Sequence, residues 1–136
     1  MAETLSLSQD LYQEIIQHLA AEKPLEGCGI LSGQDGQPVR FFPARNEARS
    51  ETFYNIAPED LFRIMRQIDR SGETLWGIVH SHPATPAYPS STDIRLAFYP
   101  DVYYLIVSLA DPERPDLRAF TIRDGQVTEH PIHVGR

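Results

Sequence analysis

Two histidines separated by one residue, His80 and His82, open the segment of this chain best suited to chemistry. If the residues around them form a β-strand, both imidazoles point to the same face, because strand side chains alternate with a period of two. A proline-rich loop follows and leads to Ser90 and Asp93. Two imidazole nitrogens and one carboxylate oxygen are ligands of a catalytic zinc site, whose fourth position is left for water. The spacing therefore indicates a candidate metallohydrolase.

The histidine pair by itself is weak evidence for a metal site. Five histidines in 136 residues produce a His-x-His pair by chance in roughly one shuffled sequence in seven. The alternative interpretation is a surface strand that carries two solvated imidazoles. The longer pattern is far more restrictive, because His-x-His-Pro is followed by six residues and then by Ser-x-x-Asp. That combination favours a metal site.

The pattern is similar to the motif of the JAMM (MPN-plus) metalloproteases at every defined position. The acidic residue that the motif requires upstream is available as Glu26, in the run Pro-Leu-Glu-Gly-Cys-Gly. The chain resembles the small prokaryotic members of that family along nearly its whole length. The resemblance implies that His80, His82 and Asp93 bind one Zn²⁺ per chain. It also implies that Glu26 is the general base for a water nucleophile and returns the proton to the leaving amine.

Ser90 has two interpretations that the sequence does not separate. As the N-cap of a short helix, it would satisfy a free backbone N–H and place Asp93 in the first helical turn. In the family that the chain resembles, the serine of Ser-x-x-Asp orients the water or stabilises the developing oxyanion. We favour a catalytic contribution from Ser90, with Ser91 as the alternative cap.

Three residues are candidates for contact with the substrate. Tyr88 lies in the proline-rich loop, where it could line the substrate channel. Phe53 and Asn55 lie in residues 51–56, whose alternating pattern predicts an edge strand. An extended C-terminal tail of a substrate can pair with such an edge through backbone hydrogen bonds.

The remaining cysteine and histidine side chains are not expected to take part in the chemistry. Cys28 is more readily explained as a small buried residue than as a reactive thiol, although the sequence leaves its reactivity open. His18, on the first predicted helix, is expected to be solvated. His130 and His133 are three residues apart, so their rings would point to opposite faces of a strand and are not expected to share a metal.

The composition restricts the partners and the compartment. The net charge of −7 and the pI near 5.1 argue against nucleic acid or an anionic membrane as the main partner, because both attract basic surfaces. No apolar run approaches the ~20 residues that cross a bilayer, and no secretory signal is visible at the N-terminus. The single cysteine cannot form an internal disulfide and fits a reducing compartment. We therefore expect a cytoplasmic protein.

Periodicity and turn residues predict an α/β fold, a mixed sheet flanked by helices, in a single domain of residues 1–136. The predicted strands are residues 5–7, 27–31, 39–44, 51–56, 74–82, 102–109, 117–123 and 126–134. The predicted helices are residues 9–21, a helix that begins at Pro58 and ends at Ser71 and Gly72, and a short helix from Ser90 or Ser91 to about Tyr99. The resemblance implies the MPN fold, whose central sheet between helices resembles the cytidine deaminase architecture.

The resemblance also implies the reaction, because the family hydrolyses amide or isopeptide bonds after the C-terminal Gly-Gly of ubiquitin and ubiquitin-like proteins. The chain has little room between its elements for the insertions with which larger eukaryotic relatives grip ubiquitin. A sulfur-carrier protein of the ubiquitin-like fold is therefore the expected substrate, cleaved by water that the metal activates. The sequence does not distinguish deconjugation from lysine from release of cysteine, and it leaves the oligomeric state undetermined.

Two other functions stay open. One is a non-catalytic MPN scaffold, a kind of relative that usually lacks one or more ligands, whereas all are present in this chain. The other is a zinc hydrolase of small amides, which a comparison of carrier conjugates with small amides would distinguish.

Overall fold

The computed structural model describes residues 4–135. Within that range the chain forms eight strands and three helices. The strands are β1 (Leu5–Ser8), β2 (Cys28–Gln34), β3 (Gln37–Ala44), β4 (Thr74–His82), β5 (Tyr103–Ser108), β6 (Asp116–Arg123), β7 (Gln126–His130) and β8 (Ile132–Gly135). The helices are α1 (Gln9–Glu22), α2 (Pro58–Arg70) and α3 (Ser91–Arg95). None of the helices in residues 4–135 is both long and apolar enough to span a membrane.

Six strands form one mixed sheet in the order β3-β2-β4-β5-β6-β7. The central pair β4 and β5 is parallel, and every other neighbouring pair in this sheet is antiparallel. Parallel neighbours require a crossover connection, and the segment that contains α3 supplies it. A separate two-stranded sheet pairs β1 with β8 in parallel. The predicted mixed α/β fold is confirmed.

The helices cover opposite faces of the large sheet, as two adjacent residues of β2 show. Leu31 packs in the cluster that contains the buried stripe of α1, whereas Ile30 packs with Ile64 and Ile68 of α2. The α1 stripe consists of Leu11, Ile15 and Leu19. Burying each such aliphatic side chain contributes about 1.5–3 kcal/mol. The sheet is therefore the middle layer between two helical layers.

The helices α1 and α2 begin at the residues that the sequence predicts. The Ser8 side chain accepts a hydrogen bond from the Leu11 N–H at 3.1 Å and caps α1. Pro58 lies at the start of α2, where its missing N–H costs nothing. The predicted turn before β7 also forms, because Asp124 and Gly125 both adopt positive φ angles of 50° and 77°.

One predicted strand does not form, and two other predicted elements have different bounds in the structure. Residues 51–56 form no strand; their contact with neighbouring backbone includes one isolated bridge between Asn46 and Ile56. The predicted strand over residues 126–134 divides into β7 and β8 at Pro131, which has no N–H for a sheet hydrogen bond. The third helix ends at Arg95, well before Tyr99.

Candidate metal centre

Three donor atoms converge at the carboxyl end of β4. The Nε2 atoms of His80 and His82 are 3.3 Å apart, and they lie 3.2 and 3.0 Å from Oδ2 of Asp93. Ligand atoms around a tetrahedral zinc are about 3.3 Å apart, given bonds of about 2.0–2.1 Å. All three side chains are buried. The donor set and its spacing therefore fit a small tetrahedral cation.

The alternation of β4 places both histidines on one face of the sheet, as predicted. His82 is the last residue of β4 and pairs with Ser108 at the same end of the parallel strand β5. The carboxyl ends of adjacent parallel strands are a frequent location for binding sites in α/β sheets. The chain leaves the sheet at this point and enters the proline-rich loop.

Asp93 reaches the histidines because Ser90 caps α3. The Ser90 side chain accepts the Asp93 N–H at 3.0 Å, and Asp93 Oδ2 accepts the Ser90 N–H at 2.9 Å. This reciprocal pair is a capping box, with Asp93 at the third helical position. Ser90 is therefore the cap, and Ser91 is the first residue of the helix.

The proline-rich loop also orients His82. Nδ1 of His82 lies 2.8 Å from the carbonyl oxygen of Pro86. A carbonyl can only accept, so Nδ1 carries a proton; once the ring is neutral, the Nε2 that now faces Asp93 has a lone pair for a metal. His80 is held differently, by the ring of Tyr54 stacked on it with 4.3 Å between centroids.

Glu26 is the fourth acidic or imidazole group at this centre. It is 3 % exposed, and one ligand atom from each of Glu26, His80, His82 and Asp93 lies within 4.8 Å of the others. Two hydrogen bonds join the following residue to β4: the Gly27 N–H donates to Ser81 Oγ at 2.8 Å, and the Ser81 N–H donates to the Gly27 carbonyl at 3.0 Å. Among residues 4–135, Oε1 of Glu26 has no hydrogen-bond partner.

Burial and hydrogen bonding shift the pKa values of Glu26 and Asp93 in opposite directions. Burial raises the pKa of Glu26 to about 8. Burial alone would also raise the pKa of Asp93, but hydrogen bonds from His80 and His82 outweigh it and lower that pKa well below its usual range. Burial lowers the pKa of His80. Asp93 is thus suited to remain ionised and to bind a cation, while Glu26 is suited to exchange a proton near neutral pH.

A mainly apolar cleft of about 220 Å³ adjoins the centre at Asp93. Its walls include Phe53, Tyr54, Asn55, Leu96, Phe98 and Tyr99. Phe98 is 72 % exposed, and Phe53, Leu96 and Tyr99 are exposed as well. Phe53 and Asn55 therefore line the cleft, although the predicted strand on which they were expected is not formed.

Tyr88 is not among the cleft residues. Its ring packs edge-on against Phe120, with centroids 5.5 Å apart, and 55 % of the residue is exposed. Contact between Tyr88 and a substrate stays a prediction. Tyr54 and Asn46 carry no chemical motif and were not singled out from the sequence, because their contacts with His80 and Glu26 are made by residues distant in the chain.

The environment of Cys28 agrees with the prediction from the sequence, whereas that of His18 does not. Cys28 is fully buried and burial raises the pKa of its thiol to about 12, so the preferred interpretation as a buried residue is supported. His18 is half-buried rather than solvated. Its Nε2 lies 2.9 Å from the Cys28 carbonyl oxygen and 3.2 Å from that of Ala44, at the end of two paired strands.

The family model described as prokaryotic homologs of the JAB domain matches residues 8–123. The chain is 41 % identical over 132 residues to the CysO-cysteine peptidase of Mycobacterium tuberculosis, covering 96 % of this chain and 90 % of that protein. It is 35 % identical over 111 residues to the desampylase of Haloferax volcanii, covering 76 % and 80 %.

Solved structures give the same picture of the fold. A protein from Desulfitobacterium hafniense has a TM-score of 0.88 at 35 % identity, covering 96 % of this chain and 92 % of that one. A JAB1/MPN domain protein from Archaeoglobus fulgidus has a TM-score of 0.61 at 21 % identity, with 96 % and 97 % covered. The predicted MPN fold is confirmed.

Proposed function

The chain belongs to the family of prokaryotic homologs of the JAB domain, and we propose that it is a zinc-dependent peptidase or isopeptidase of the JAMM type. In this proposal it hydrolyses the amide bond after the C-terminal glycine of a ubiquitin-like or sulfur-carrier protein. One observation carries the proposal: His80, His82 and Asp93 converge with spacings of 3.0–3.3 Å beside a buried Glu26 carboxyl. The proposed unit is one domain located in the cytoplasm.

The proposed zinc ligands are Nε2 of His80, Nε2 of His82 and Oδ2 of Asp93. The donor chemistry suits zinc, which accepts nitrogen and carboxylate oxygen ligands in tetrahedral sites. When bound, Zn²⁺ supplies Lewis-acid polarisation and makes water more acidic. The hydrogen bond from His82 to the Pro86 carbonyl and the capping box of Asp93 hold these ligands in place before any ion arrives.

Glu26 is the proposed proton carrier. Its carboxyl group accepts a proton from the attacking water and delivers it to the leaving amine, so that the same group serves both steps. The burial that raises the pKa of Glu26 makes the carboxyl a stronger base than an exposed glutamate. A cation at the neighbouring ligands would lower that pKa again, so that the carboxyl is ionised before it accepts the proton and can release it afterwards.

Ser90 is the proposed second catalytic residue. Its Oγ accepts the Asp93 N–H, which leaves the Ser90 hydroxyl proton free to be donated. A donor beside a reacting carbonyl stabilises the negative charge that develops on oxygen, an effect of about 3 kcal/mol per donor in other hydrolases.

The relatives indicate which conjugate to test first. The CysO-cysteine peptidase is similar along almost the whole chain, and a desampylase is similar along three quarters of it. We propose that this protein releases cysteine from a carrier whose C-terminus bears it. Cleavage of an isopeptide bond to lysine is the same reaction with a different leaving amine, and it is the second conjugate to test.

The decisive experiment compares Glu26→Gln with the parent protein. The substrate is a purified sulfur-carrier protein whose C-terminal Gly-Gly is joined either to cysteine or to a lysine side chain. We expect Glu26→Gln to lower the cleavage rate by about a hundredfold or more, because general-base catalysis contributes about 10²–10⁴. Zinc content after dialysis should remain one ion per chain.

The matched control is Glu14→Gln, which removes the charge of an exposed glutamate on α1. It should cleave at the parental rate. Equal rates for Glu26→Gln and the parent would exclude the proposed mechanism. Parent protein that binds zinc yet cleaves neither conjugate would contradict the proposed substrate class.

A further inference from the structure

We propose that Asn46 is a positioning residue that holds both Glu26 and the wall of the substrate cleft through one buried amide. The proposal rests on the proposed function insofar as it treats Glu26 as catalytic. Asn46 is 5 % exposed and follows the end of β3. Its amide joins the segment that lines the cleft to the backbone of Glu26.

The position of Glu26 depends on backbone contacts outside the sheet. Glu26 precedes β2, so the strand ladder does not hold it. Its N–H donates to the Ser50 carbonyl at 2.8 Å, and its own carbonyl accepts the Asn46 side-chain amide at 3.0 Å. Because Oε1 of Glu26 has no partner among residues 4–135, hydrogen bonds to that atom do not hold the carboxyl. The residues between β3 and α2 therefore hold the Glu26 backbone, together with the Gly27–Ser81 hydrogen bonds that fix the next residue to β4.

The same amide organises the cleft wall. Its nitrogen also donates to the Phe53 carbonyl at 3.1 Å, and its oxygen accepts the Ala48 and Asn55 N–H groups, each at 3.0 Å. Both donors and both acceptor positions of the side chain are thus used. Phe53 and Asn55 belong to the cleft wall, so one side chain connects this wall to Glu26.

An asparagine suits this position because its hydrogen-bond partners include both acceptors and donors. Two carbonyl oxygens need donors, and two N–H groups need an acceptor, all within reach of one short planar group. Residues 51–56 form no strand, and buried backbone polar groups outside a strand need other partners. Asn46 therefore supplies the Phe53 carbonyl and the Asn55 N–H with hydrogen bonds that a neighbouring strand would otherwise have made.

The contacts of Asn46 do not include the proposed zinc ligands. His80 and His82 are held by β4, Tyr54 and Pro86, and Asp93 is held by the cap of α3. Tyr54 lies in the cleft wall, so loss of the Asn46 amide should displace Glu26 and that wall and should reach the ligands only through the Tyr54 ring stacked on His80, whose backbone β4 still holds. A displacement of about 1 Å at a catalytic group can cost about a hundredfold in rate.

The test uses two substitutions that break different bonds. In Asn46→Asp, one oxygen can still accept from Ala48 and Asn55, but the other faces the carbonyl oxygens of Glu26 and Phe53 without a proton to donate. In Asn46→Ala, all four bonds are lost and no charge is buried. The matched control is Gln67→Glu, the same amide-to-carboxylate change on the exposed face of α2.

Each full-length variant is loaded with zinc and assayed far below its melting midpoint. We expect kcat per zinc-bound protein to fall about tenfold or more in both Asn46 variants. KM should rise more in Asn46→Ala, because that change also frees the Asn55 N–H at the cleft. Zinc affinity, measured by competition with a chelator, should stay within about threefold of the parent.

Amide hydrogen exchange is the readout that does not depend on activity. In the parent, the Glu26, Ala48 and Asn55 amides should exchange at rates within about tenfold of one another, as parts of one opening unit. In Asn46→Asp, protection of the Glu26 amide should fall while that of Ala48 and Asn55 is retained. If neither variant folds, the parental exchange rates decide, and a Glu26 amide that exchanges far more slowly than the other two contradicts the inference.

The outcomes separate this inference from the proposed function. Parent protein that cleaves the carrier, with unchanged kcat and unchanged Glu26 protection in both variants, overturns the role of Asn46 and leaves the function standing. Parent protein that cleaves no carrier contradicts the function, and the exchange data alone then decide whether Asn46 holds Glu26.

Discussion

Ser90 shows how one side chain at the candidate metal centre can combine a structural hydrogen bond with a hydroxyl proton that is free to be donated. Its oxygen accepts the Asp93 N–H and so caps α3, while its hydroxyl proton stays available. The sequence left the cap and the catalytic role as alternatives. The geometry makes them compatible, because accepting one hydrogen bond does not consume the donor.

Substitutions at Ser90 should separate its two roles. Ser90→Ala removes the cap and should destabilise the protein by about 1 kcal/mol, whereas Ser90→Asn keeps a good N-cap acceptor and should retain most of that stability. Both variants lack the hydroxyl, so both should lose cleavage activity. Chemical unfolding and carrier cleavage measured on the same samples test this. Full activity in Ser90→Asn would limit Ser90 to the capping role.

At the scale of elements, two different clusters of polar side chains lie at the opposite ends of β4. The candidate metal centre lies at its carboxyl end, and a charged cluster lies at its amino end. There Glu73 accepts hydrogen bonds from Ser32 of β2 at 2.8 Å and from Arg40 of β3 at 2.9 and 3.2 Å. Arg40 also donates to Ser71 at 2.6 Å, just after α2. The cluster thus joins three elements around the turn before β4.

The Glu73 cluster predicts a pH dependence of stability. Hydrogen bonds from Arg40, followed by that from Ser32, lower the pKa of Glu73 from its usual 4.5. The folded protein therefore binds fewer protons than the unfolded chain in the range below 4.5, and stability rises with pH there. The contribution is fully present above about pH 4.5 and is lost as the pH falls through the lowered pKa. Glu73→Gln should accordingly be less stable than the parent at neutral pH.

Unfolding by denaturant between about pH 3 and pH 7 measures this effect. The difference between parent and Glu73→Gln should narrow toward the acidic limit. The exposed Glu113, changed to Gln, provides a control whose stability should follow the parent at every pH. A Glu73→Gln difference that is independent of pH would assign the loss to packing instead of charge.

At the scale of the whole molecule, the proposed metal joins segments that the unfolded chain does not hold together. His80 and His82 belong to β4, and Asp93 belongs to α3 on the far side of the proline-rich loop. A ligand that binds the folded state alone stabilises it by about 2.7 kcal/mol when its free concentration is one hundred times Kd. Zinc should therefore raise the melting midpoint of this protein.

The midpoint should rise with zinc concentration and return to its initial value after chelation. His82→Ala removes one proposed ligand and should abolish most of the rise, whereas the exposed control His133→Ala should retain it. Equal zinc-dependent shifts in the parent and in His82→Ala would show that zinc stabilises the fold from another site.

Local structure was predictable from the sequence where residue type and spacing alone determine it. Alternation along β4 gave the shared face of His80 and His82, and the spacing of Ser90 and Asp93 gave a capped helix turn. The alternating pattern of residues 51–56 also predicted a strand from residue type alone, and that prediction is wrong. A strand needs a continuous partner with free backbone groups, and here the Asn46 side chain bonds Phe53 and Asn55 while backbone pairing is limited to residues 45–47 with 55–57.

The sequence by itself determined the identities of the chemical groups and the short-range geometry of two of the three proposed ligands, because a strand's period is a property of the local backbone. The family resemblance pointed to Glu26, but the tertiary structure decided its position beside them, since Gly27 and Ser81 hydrogen-bond across 54 positions of chain. It also decided that burial raises the pKa of Glu26 to about 8 and that Asn46 holds its backbone. Burial and long-range hydrogen bonds depend on which segments pack together, and no local pattern of residues encodes that.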